Sequence, residues 1–215
     1  MRLLMLVVLV GCLAIAPQTA RAFVFTPGDA DLQDLPHEKY FKWGINFTLP
    51  EDHVVTYAAV VFHDIYNWTN EDNDRLWLHL LDNTSRGVSW GTDNEASGTW
   101  FAAPRYTQNQ ILLNEFANLP EGSGQAQDIT YEFDAFERAT LEGYAADGRI
   151  GLGLDPDCHF YNTGVQLQIE TGIAPPVPEP TTIALFGFGL VGLAGLMRNR
   201  FRRGDPEGRG SKIGV

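Results

Sequence analysis

Two acidic clusters contain the oxygen atoms that a calcium site would need. Asn70–Asp74 reads Asn-Glu-Asp-Asn-Asp, and Asp155–Asp157 reads Asp-Pro-Asp. Calcium prefers several carboxylate and carbonyl oxygens, which closely spaced Asp and Asn residues on a loop can supply. The same residue types are also favoured in solvated turns, so that alternative stays open. We expect either no cofactor or a calcium ion, with these candidate ligands: Asp72, Asp74, Asp155 and Asp157.

The histidine and cysteine residues show no spacing typical of a catalytic site. The sequence has no His-Glu-x-x-His motif. Asp157-Cys158-His159 lacks a recognisable orienting group and an oxyanion site, and a lone cysteine is commonly a small buried hydrophobic residue. Glu132, Asp134 and Glu137 could supply the paired carboxylates of a glycosidase, but any acidic chain offers such groups. We therefore expect no enzymatic activity, and a secreted hydrolase is the last alternative.

Tryptophan residues beside polar residues are the remaining chemical signal. Trp90 and Trp100 flank Gly91–Thr99, a stretch containing Gly, Asn and Ser that is typical of exposed loops. A flat aromatic ring can stack on the apolar face of a sugar, although tryptophan is more often largely buried. Trp90 and Trp100 are therefore candidate ligand-binding residues for a carbohydrate.

The charge of the chain excludes one class of partner. The 215 residues include 15 basic and 27 acidic ones, a formal net charge of −12. Phe23–Val177 alone has 7 basic and 24 acidic residues, a net charge of −17. Phosphate recognition needs a basic face, so nucleic acid is not expected as a partner. An acidic surface also repels anionic polymers.

Period-two patterns predict the β-strands that must position these residues. Val54–Phe62 is an almost continuous apolar run, consistent with a buried strand. Four segments alternate apolar residues with other types: 76–80, 129–133, 150–154 and 165–169. Phe136–Ala146 is the best helix candidate and is ended by Asp147-Gly148. The pattern favours an all-β fold, an antiparallel β-sandwich of jelly-roll type with one short helix.

The N-terminus has the three parts of a secretory signal peptide. Arg2 is a short positive region, and Leu3–Ala16 is apolar but too short to span a bilayer comfortably. Ala20-Arg21-Ala22 is a small-x-small cleavage site. We predict a signal peptide over residues 1–22, cut by signal peptidase after Ala22.

The C-terminus combines an uncharged apolar segment with a basic cluster. A β-sandwich domain over residues 23–173 is followed by a stiff Pro-rich linker, 174–180. Residues 181–197 have about the minimum length of a transmembrane helix. Residues 198–215 form a basic tail that stays cytoplasmic, so the domain lies outside. The cluster consists of Arg198, Arg200, Arg202 and Arg203.

Pro178-Glu179-Pro180, the uncharged glycine-rich helix and the arginine cluster together resemble the PEP-CTERM sorting signal of Gram-negative bacteria. In that family, exosortase, a transpeptidase-like membrane enzyme, recognises and cuts the tail. Such proteins are usually linked to exopolysaccharide and biofilm production. The resemblance covers about residues 176–203 and concerns sorting rather than the activity of the domain. The alternative is a plain tail anchor that is never cut.

These features predict an exported protein with two removable ends. The C-terminal helix would anchor it transiently in the inner membrane, before it reaches the cell surface or the extracellular matrix. Signal peptidase and exosortase are the expected processing partners, and extracellular polysaccharide is a candidate ligand. The leading interpretation is a structural or adhesive matrix protein associated with exopolysaccharide. The alternatives are a carbohydrate-binding module, with or without calcium, and last a secreted hydrolase.

Overall fold

The computed structural model describes residues 20–28, 32–69, 74–94, 98–175 and Phe188. The chain divides into two compact units, Met1–Ala174 and Pro175–Val215. All of the strands belong to the first unit. Most of the predicted signal peptide, the linker from residue 176, the membrane helix apart from Phe188 and the basic tail lie outside the described residues.

The described part of the chain contains eleven strands and one α-helix. The strands are β1 (Arg21–Phe25), β2 (Asp34–Leu35), β3 (Lys39–Asn46), β4 (His53–Asn67), β5 (Arg75–Asp82), β6 (Gly87–Thr92), β7 (Gln110–Ala117), β8 (Gln127–Glu132), β9 (Arg149–Pro156), β10 (Phe160–Tyr161) and β11 (Gly164–Ile173). The helix is α1 (Ala135–Tyr144), between β8 and β9.

The strands form two antiparallel sheets whose inner faces share one hydrophobic core. The first sheet has the order β8-β4-β11-β1, with β10 and β2 continuing beside the end of β4. The second sheet has the order β6-β3-β9-β5-β7. When β2, β6 and β10 are left out, the strand orders are β8-β4-β11-β1 and β3-β9-β5-β7. These are the orders of two interleaved Greek keys, which is the jelly-roll arrangement. The predicted all-β sandwich with one short helix is confirmed.

The predicted strands form where one face of the segment is apolar. Val54–Phe62 lies within β4. The segments 76–80, 150–154 and 165–169 lie within β5, β9 and β11, and 129–133 extends one residue beyond the end of β8. Leu78, Leu154 and Leu167 are fully buried, as expected for the inward positions of a period-two pattern.

The helix begins at a capping box and ends at a glycine. Asp134 is the N-cap, and its side chain and that of Glu137 exchange hydrogen bonds with the two backbone N–H groups. The last turn tightens into a 3₁₀ turn over Ala145–Asp147. Gly148 then adopts a left-handed conformation, with φ of 84°, which favours glycine.

The outer face of the second sheet is covered at the two glycines of β9. Gly151 and Gly153 lie on the outer face of β9, where the Thr84 side chain covers Gly151 and the loop 98–109 folds over Gly153. Phe101 of this loop is fully buried, and a Cβ atom at Gly153 would lie 2.6 Å from its ring. His79, with its ring centroid 4.9 Å from that of Phe101, is buried as well. Because it has no side chain, Gly153 allows the Phe101 ring to pack directly on the sheet.

Candidate functional site

Four aromatic rings form a contiguous group on the outer face of the first sheet, where β4, β10 and β2 pair. We refer to Tyr66, Trp68, His159 and Tyr161 as the aromatic row. Asn67, Phe160 and Leu35 are at most 1% exposed and point toward the core. Since successive side chains alternate across a strand, the residues on either side of Asn67 and Phe160 point outward.

The rings of the aromatic row pack against one another nearly in parallel. The centroids of His159 and Tyr161 are 4.6 Å apart, with 26° between the ring planes. Trp68 lies 5.7 Å from His159 at 26°, and Tyr66 lies 5.5 Å from Tyr161 at 30°. Such distances are typical of favourable aromatic pairs. The rings therefore restrict one another, and the row is preformed.

Polar atoms border the aromatic row. His159 Nε2 donates a hydrogen bond to Asp34 Oδ1 at 2.5 Å, because a carboxylate can only accept. The Asp34 side chain remains 63% exposed. Burial, followed by the Asp34 carboxylate and the Tyr66 phenol, raises the pKa of Tyr161. Trp68 is the most exposed ring of the row, at 60%.

Asn67 and the backbone hold the aromatic row from the core side. Asn67 is 1% exposed, and its side-chain amide donates to the Asp74 carboxylate. The buried Cys158 thiol donates to Asn67 Oδ1 at 2.9 Å. The backbone N–H of Trp68 donates to the carbonyl of His159 at 2.9 Å, which continues the strand pairing past β4. Cys158 therefore has a structural role under the row.

A second aromatic group lies on the outer face of the second sheet. Trp100 stacks on Tyr40 of β3, with centroids 3.5 Å apart and 13° between the planes. Its backbone N–H donates to Asp155 Oδ2 of β9 at 2.5 Å. The preceding residue, Thr99, places its hydroxyl 3.0 Å from His79 Nε2 of β5. These contacts fix the loop to the strands beneath it.

Burial shifts two ionisable groups beneath this loop in opposite directions. Asp155 is 1% exposed, and burial, opposed by the hydrogen bond from the Trp100 N–H and reinforced by the Asp93 carboxylate, raises its pKa to about 7. Burial lowers the pKa of His79 to about 4. Asp93 is also buried. A carboxyl pair of this kind resembles a catalytic dyad, but both groups are buried and neither is open to a substrate.

The two tryptophans predicted as a sugar site lie on opposite faces of the second sheet. Trp90 of β6 stands opposite Phe41 in the register, so both side chains share the core-facing side. At that edge Trp90 is 61% exposed, and Lys39 Nζ lies 4.4 Å from its ring centroid. Trp100 stacks on Tyr40, which points to the other face. The structure does not bring Trp90 and Trp100 together as one platform.

The predicted calcium ligands lie in separate environments. Asp72 falls outside the described residues, and Asp74 accepts a hydrogen bond from Asn67. Asp155 is buried beneath the 98–109 loop. Asp157 is half-buried, and burial, followed by Asp93, raises its pKa. Among the described residues, no group of three or more His, Cys, Asp or Glu side chains is placed to hold a metal ion.

Two of the three carboxylates considered for hydrolysis, Asp134 and Glu137, cap the helix. Glu137 is 7% exposed, and its Oε2 accepts from the Asp134 N–H at 2.7 Å. Its Oε1 accepts from the Tyr131 hydroxyl at 2.6 Å. Asp134 Oδ1 in turn accepts from the Glu137 N–H at 2.8 Å. Glu132 lies apart from this pair on the exposed face of β8.

Sequence reasoning proposed Trp90 and Trp100 as the binding residues and did not predict the aromatic row. The available signal was the spacing of two short segments, Tyr66-Asn67-Trp68 and His159-Phe160-Tyr161. In each, two aromatic residues flank one inward residue, as on one face of a strand. Only the pairing of β4 with β10 brings the two segments together.

Comparison with known families finds a match at the C-terminus. Residues 176–200 match the family model of the PEP-CTERM protein-sorting motif, which confirms the predicted sorting signal. The motif indicates an exported protein that exosortase targets. No curated protein matches the chain. The residues of the signal within the match are Pro178, Glu179, Pro180, Arg198 and Arg200.

The membrane-related predictions fall largely outside the described residues. Within the part of the chain that the structure describes, no helix has the length and apolar character needed to cross a membrane. The predicted membrane helix, 181–197, lies outside that part except for Phe188. Of the predicted signal peptide, Ala20, Arg21 and Ala22 are described, and β1 begins at Arg21.

Proposed function

We propose that this chain is a cell-surface or extracellular-matrix protein with an adhesive role, and that it binds a polysaccharide through the aromatic row. The observation that carries this proposal is an exposed Trp68 whose ring packs against those of His159 and Tyr161. The sorting motif supports the location, since an exosortase substrate is an exported protein. We propose neither an enzymatic activity nor a resident cofactor.

The aromatic row combines the two kinds of surface that a sugar needs. A pyranose ring has an apolar C–H face, which packs on an aromatic ring, and hydroxyl groups, which need hydrogen-bond partners. Trp68 supplies the exposed ring, and Asp34, Tyr66 and Tyr161 supply polar atoms beside it. Because the rings already hold one another, little side-chain entropy is lost when a ligand binds.

Charge favours a neutral polysaccharide over an acidic one. The segment predicted to be exported, Phe23–Val177, has a net charge of −17. The exposed Asp34 carboxylate borders the row. An acidic surface repels anionic polymers unless cations bridge them. A neutral chain of sugars therefore fits the row better than a uronic-acid polymer.

Trp68→Ala and Trp90→Ala form a matched pair for testing the site. The two side chains are 60% and 61% exposed, but Trp68 follows β4 of the first sheet and Trp90 lies in β6 of the second. The assay is affinity electrophoresis of residues 20–175 in gels containing hydroxyethyl cellulose, a galactomannan or alginate, each with calcium or with EDTA. This segment contains all the core residues that the structure describes.

We expect a neutral polymer to retard the wild type and Trp90→Ala equally. Trp68→Ala should lose at least tenfold in affinity, about 1.4 kcal/mol, while its thermal stability stays close to that of the wild type. Alginate should give no retardation in EDTA. Binding that is unchanged in Trp68→Ala, or absent with both neutral polymers, would contradict the proposed site. Loss of binding in EDTA alone would assign a role to calcium.

The proposed location is tested separately from the proposed ligand. Replacing Pro178, Glu179 and Pro180 with alanine should block exosortase cleavage and leave the precursor in the membrane fraction. The wild type should instead appear as a shorter form at the surface or in the medium, as measured by immunoblotting. Equal size and location of the two proteins would refute exosortase processing without affecting the polysaccharide result.

A further inference from the structure

The first strand of the sandwich is a terminal edge strand. Among the described strands, β1 pairs only with β11, from Arg21 opposite Thr171 to Phe25 opposite Leu167. The predicted signal-peptidase cut after Ala22 falls inside this strand. Cleavage would leave Phe23, Val24 and Phe25 as a new chain terminus that is still in register with β11.

Two aromatic side chains, Phe23 and Phe25, pack this strand against the hydrophobic core. Phe23 and Phe25 are half-buried and contact the ring of Phe47 edge-on, at centroid distances of 5.4 and 5.9 Å. Val24 is 61% exposed. The strand therefore depends on a short ladder of backbone hydrogen bonds and on two aromatic rings.

The segment that follows β1 lies beside open space on two sides. A groove of about 690 Å³ separates residues 24–28 from residues 43–46 of β3 and from Arg86 and Gly87. A second groove, of about 250 Å³, lies between residues 26–28 and residues 163–166. Residues 26–28 can therefore act as a hinge, because moving them disturbs little packed surface.

The position that β1 occupies in the domain can accept β1 from any copy of the chain. It consists of the backbone edge of β11 and the apolar site over Phe47. We propose that β1 exchanges between molecules, so that Phe23–Phe25 of one copy pairs with Leu167–Ile169 of another. Exchange of identical elements keeps every contact and is a low-cost route to association. The partner is thus a second copy of this chain.

The position of the chain ends favours exchange between neighbouring copies. Arg21 is opposite Thr171, and the sorting motif begins five residues later, at residue 176. The start of β1 and the end of β11 therefore leave the domain at the same edge. Copies held on one surface by their C-terminal ends would have a high effective concentration of strands and of matching edges. Only the argument from effective concentration rests on the proposed sorting, and strand exchange itself does not.

Cysteine pairs in the β1–β11 register test the exchange directly. Val24 stands opposite Gln168, and directly opposite positions in an antiparallel pair are close enough for a disulfide. Val24→Cys and Gln168→Cys are introduced into separate, differently tagged full-length chains that are co-expressed and exported. The control replaces Gln168→Cys with Thr130→Cys, which lies on β8, three strands away from β1 in the same sheet. The native Cys158 is buried and hydrogen-bonded.

We expect a disulfide between the Val24→Cys chain and the Gln168→Cys chain, at a level at least tenfold above the Thr130→Cys control. The double variant Val24→Cys/Gln168→Cys should form the same bond within one chain, which verifies the register. An in-chain bond in the double variant without any product between the separate chains would overturn the proposal. Repeating the experiment with purified, mixed chains at rising concentration separates a failure of exchange from a failure of sorting.

Discussion

Asp155→Asn is expected to make the domain more resistant to rising pH. An aspartate carboxyl group ordinarily has a pKa of 3.8, whereas the pKa of Asp155 in the folded protein is about 7, chiefly because burial disfavours its charged form. The folded state thus keeps a proton that the unfolded state releases, and stability falls as pH rises from about 4 to above 7. At 1.36 kcal/mol per pKa unit, the full cost is about 4 kcal/mol above pH 7.

His79 has the opposite dependence. Burial lowers its pKa from 6.5 to about 4, so the folded state binds fewer protons than the unfolded state between these values. The stability that depends on neutral His79 is fully present above pH 6.5 and is lost as pH falls. The total loss is about 3 kcal/mol below pH 4. The two slopes therefore cancel between pH 4 and 6.5, and only the decline due to Asp155 remains above pH 6.5.

Asp155→Asn removes the pH dependence of stability that is due to Asp155, while it preserves the local contacts. The introduced asparagine keeps an oxygen that can accept the Trp100 N–H, and its amide can donate to Asp93, so the loop should stay in place. Urea unfolding of residues 20–175, followed by tryptophan fluorescence at pH 5, 6.5 and 8, measures the free energy of unfolding. Relative to the wild type, Asp155→Asn should gain about 3 kcal/mol between pH 5 and pH 8.

Asp157→Asn is the matched control, because Asp157 lies two residues away and is only half-buried. Its gain over the same pH range should be clearly smaller. A stability difference between Asp155→Asn and the wild type that stays constant from pH 5 to pH 8 would refute a proton held by Asp155 in the folded state.

Two further pairs of substitutions test the packing of the loop and the start of the helix. Gly153→Ala should lower the melting temperature, since its Cβ would lie 2.6 Å from the Phe101 ring and overpacking costs about 1–3 kcal/mol; Gly143→Ala, with open space around it in α1, should be neutral or stabilising by up to roughly 1 kcal/mol. Equal melting temperatures for both variants in circular dichroism would contradict the tight contact. Glu137→Ala should cost about 2 kcal/mol by removing one half of the capping box and a buried acceptor, whereas Asp134→Asn, which retains a capping oxygen, should cost less than about 1 kcal/mol. Denaturant unfolding compares the two, and equal losses would show that the cap does not explain the effect.

The strands that sequence reasoning recovered are those with one uniformly apolar face. The segments 76–80 and 165–169 place apolar residues at every second position, so burial of one face leaves a visible period of two. β7 was missed because a bulge interrupts its register with β5, between Leu78 and His79, and this breaks the alternation. β1 was missed because it overlaps the predicted signal peptide.

The sites were harder to predict because they depend on pairing between distant segments. Trp90 and Trp100 are near in sequence, yet the register of β6 with β3 puts the first on the side of Phe41, while the second stacks on Tyr40. Trp68 and His159 are far apart in sequence, yet antiparallel pairing at the end of β4 brings their rings together.

By itself the sequence determined the fold class, the acidic charge of the exported segment and the sorting motif. Each of these is written in composition or in short local patterns, which do not depend on which segments become neighbours. The tertiary structure alone decided which aromatic rings share a surface, which carboxyl groups are buried beneath a loop and which strand closes the edge of the first sheet. These properties follow from strand register, since a shift of one residue turns every side chain of a strand to the opposite face.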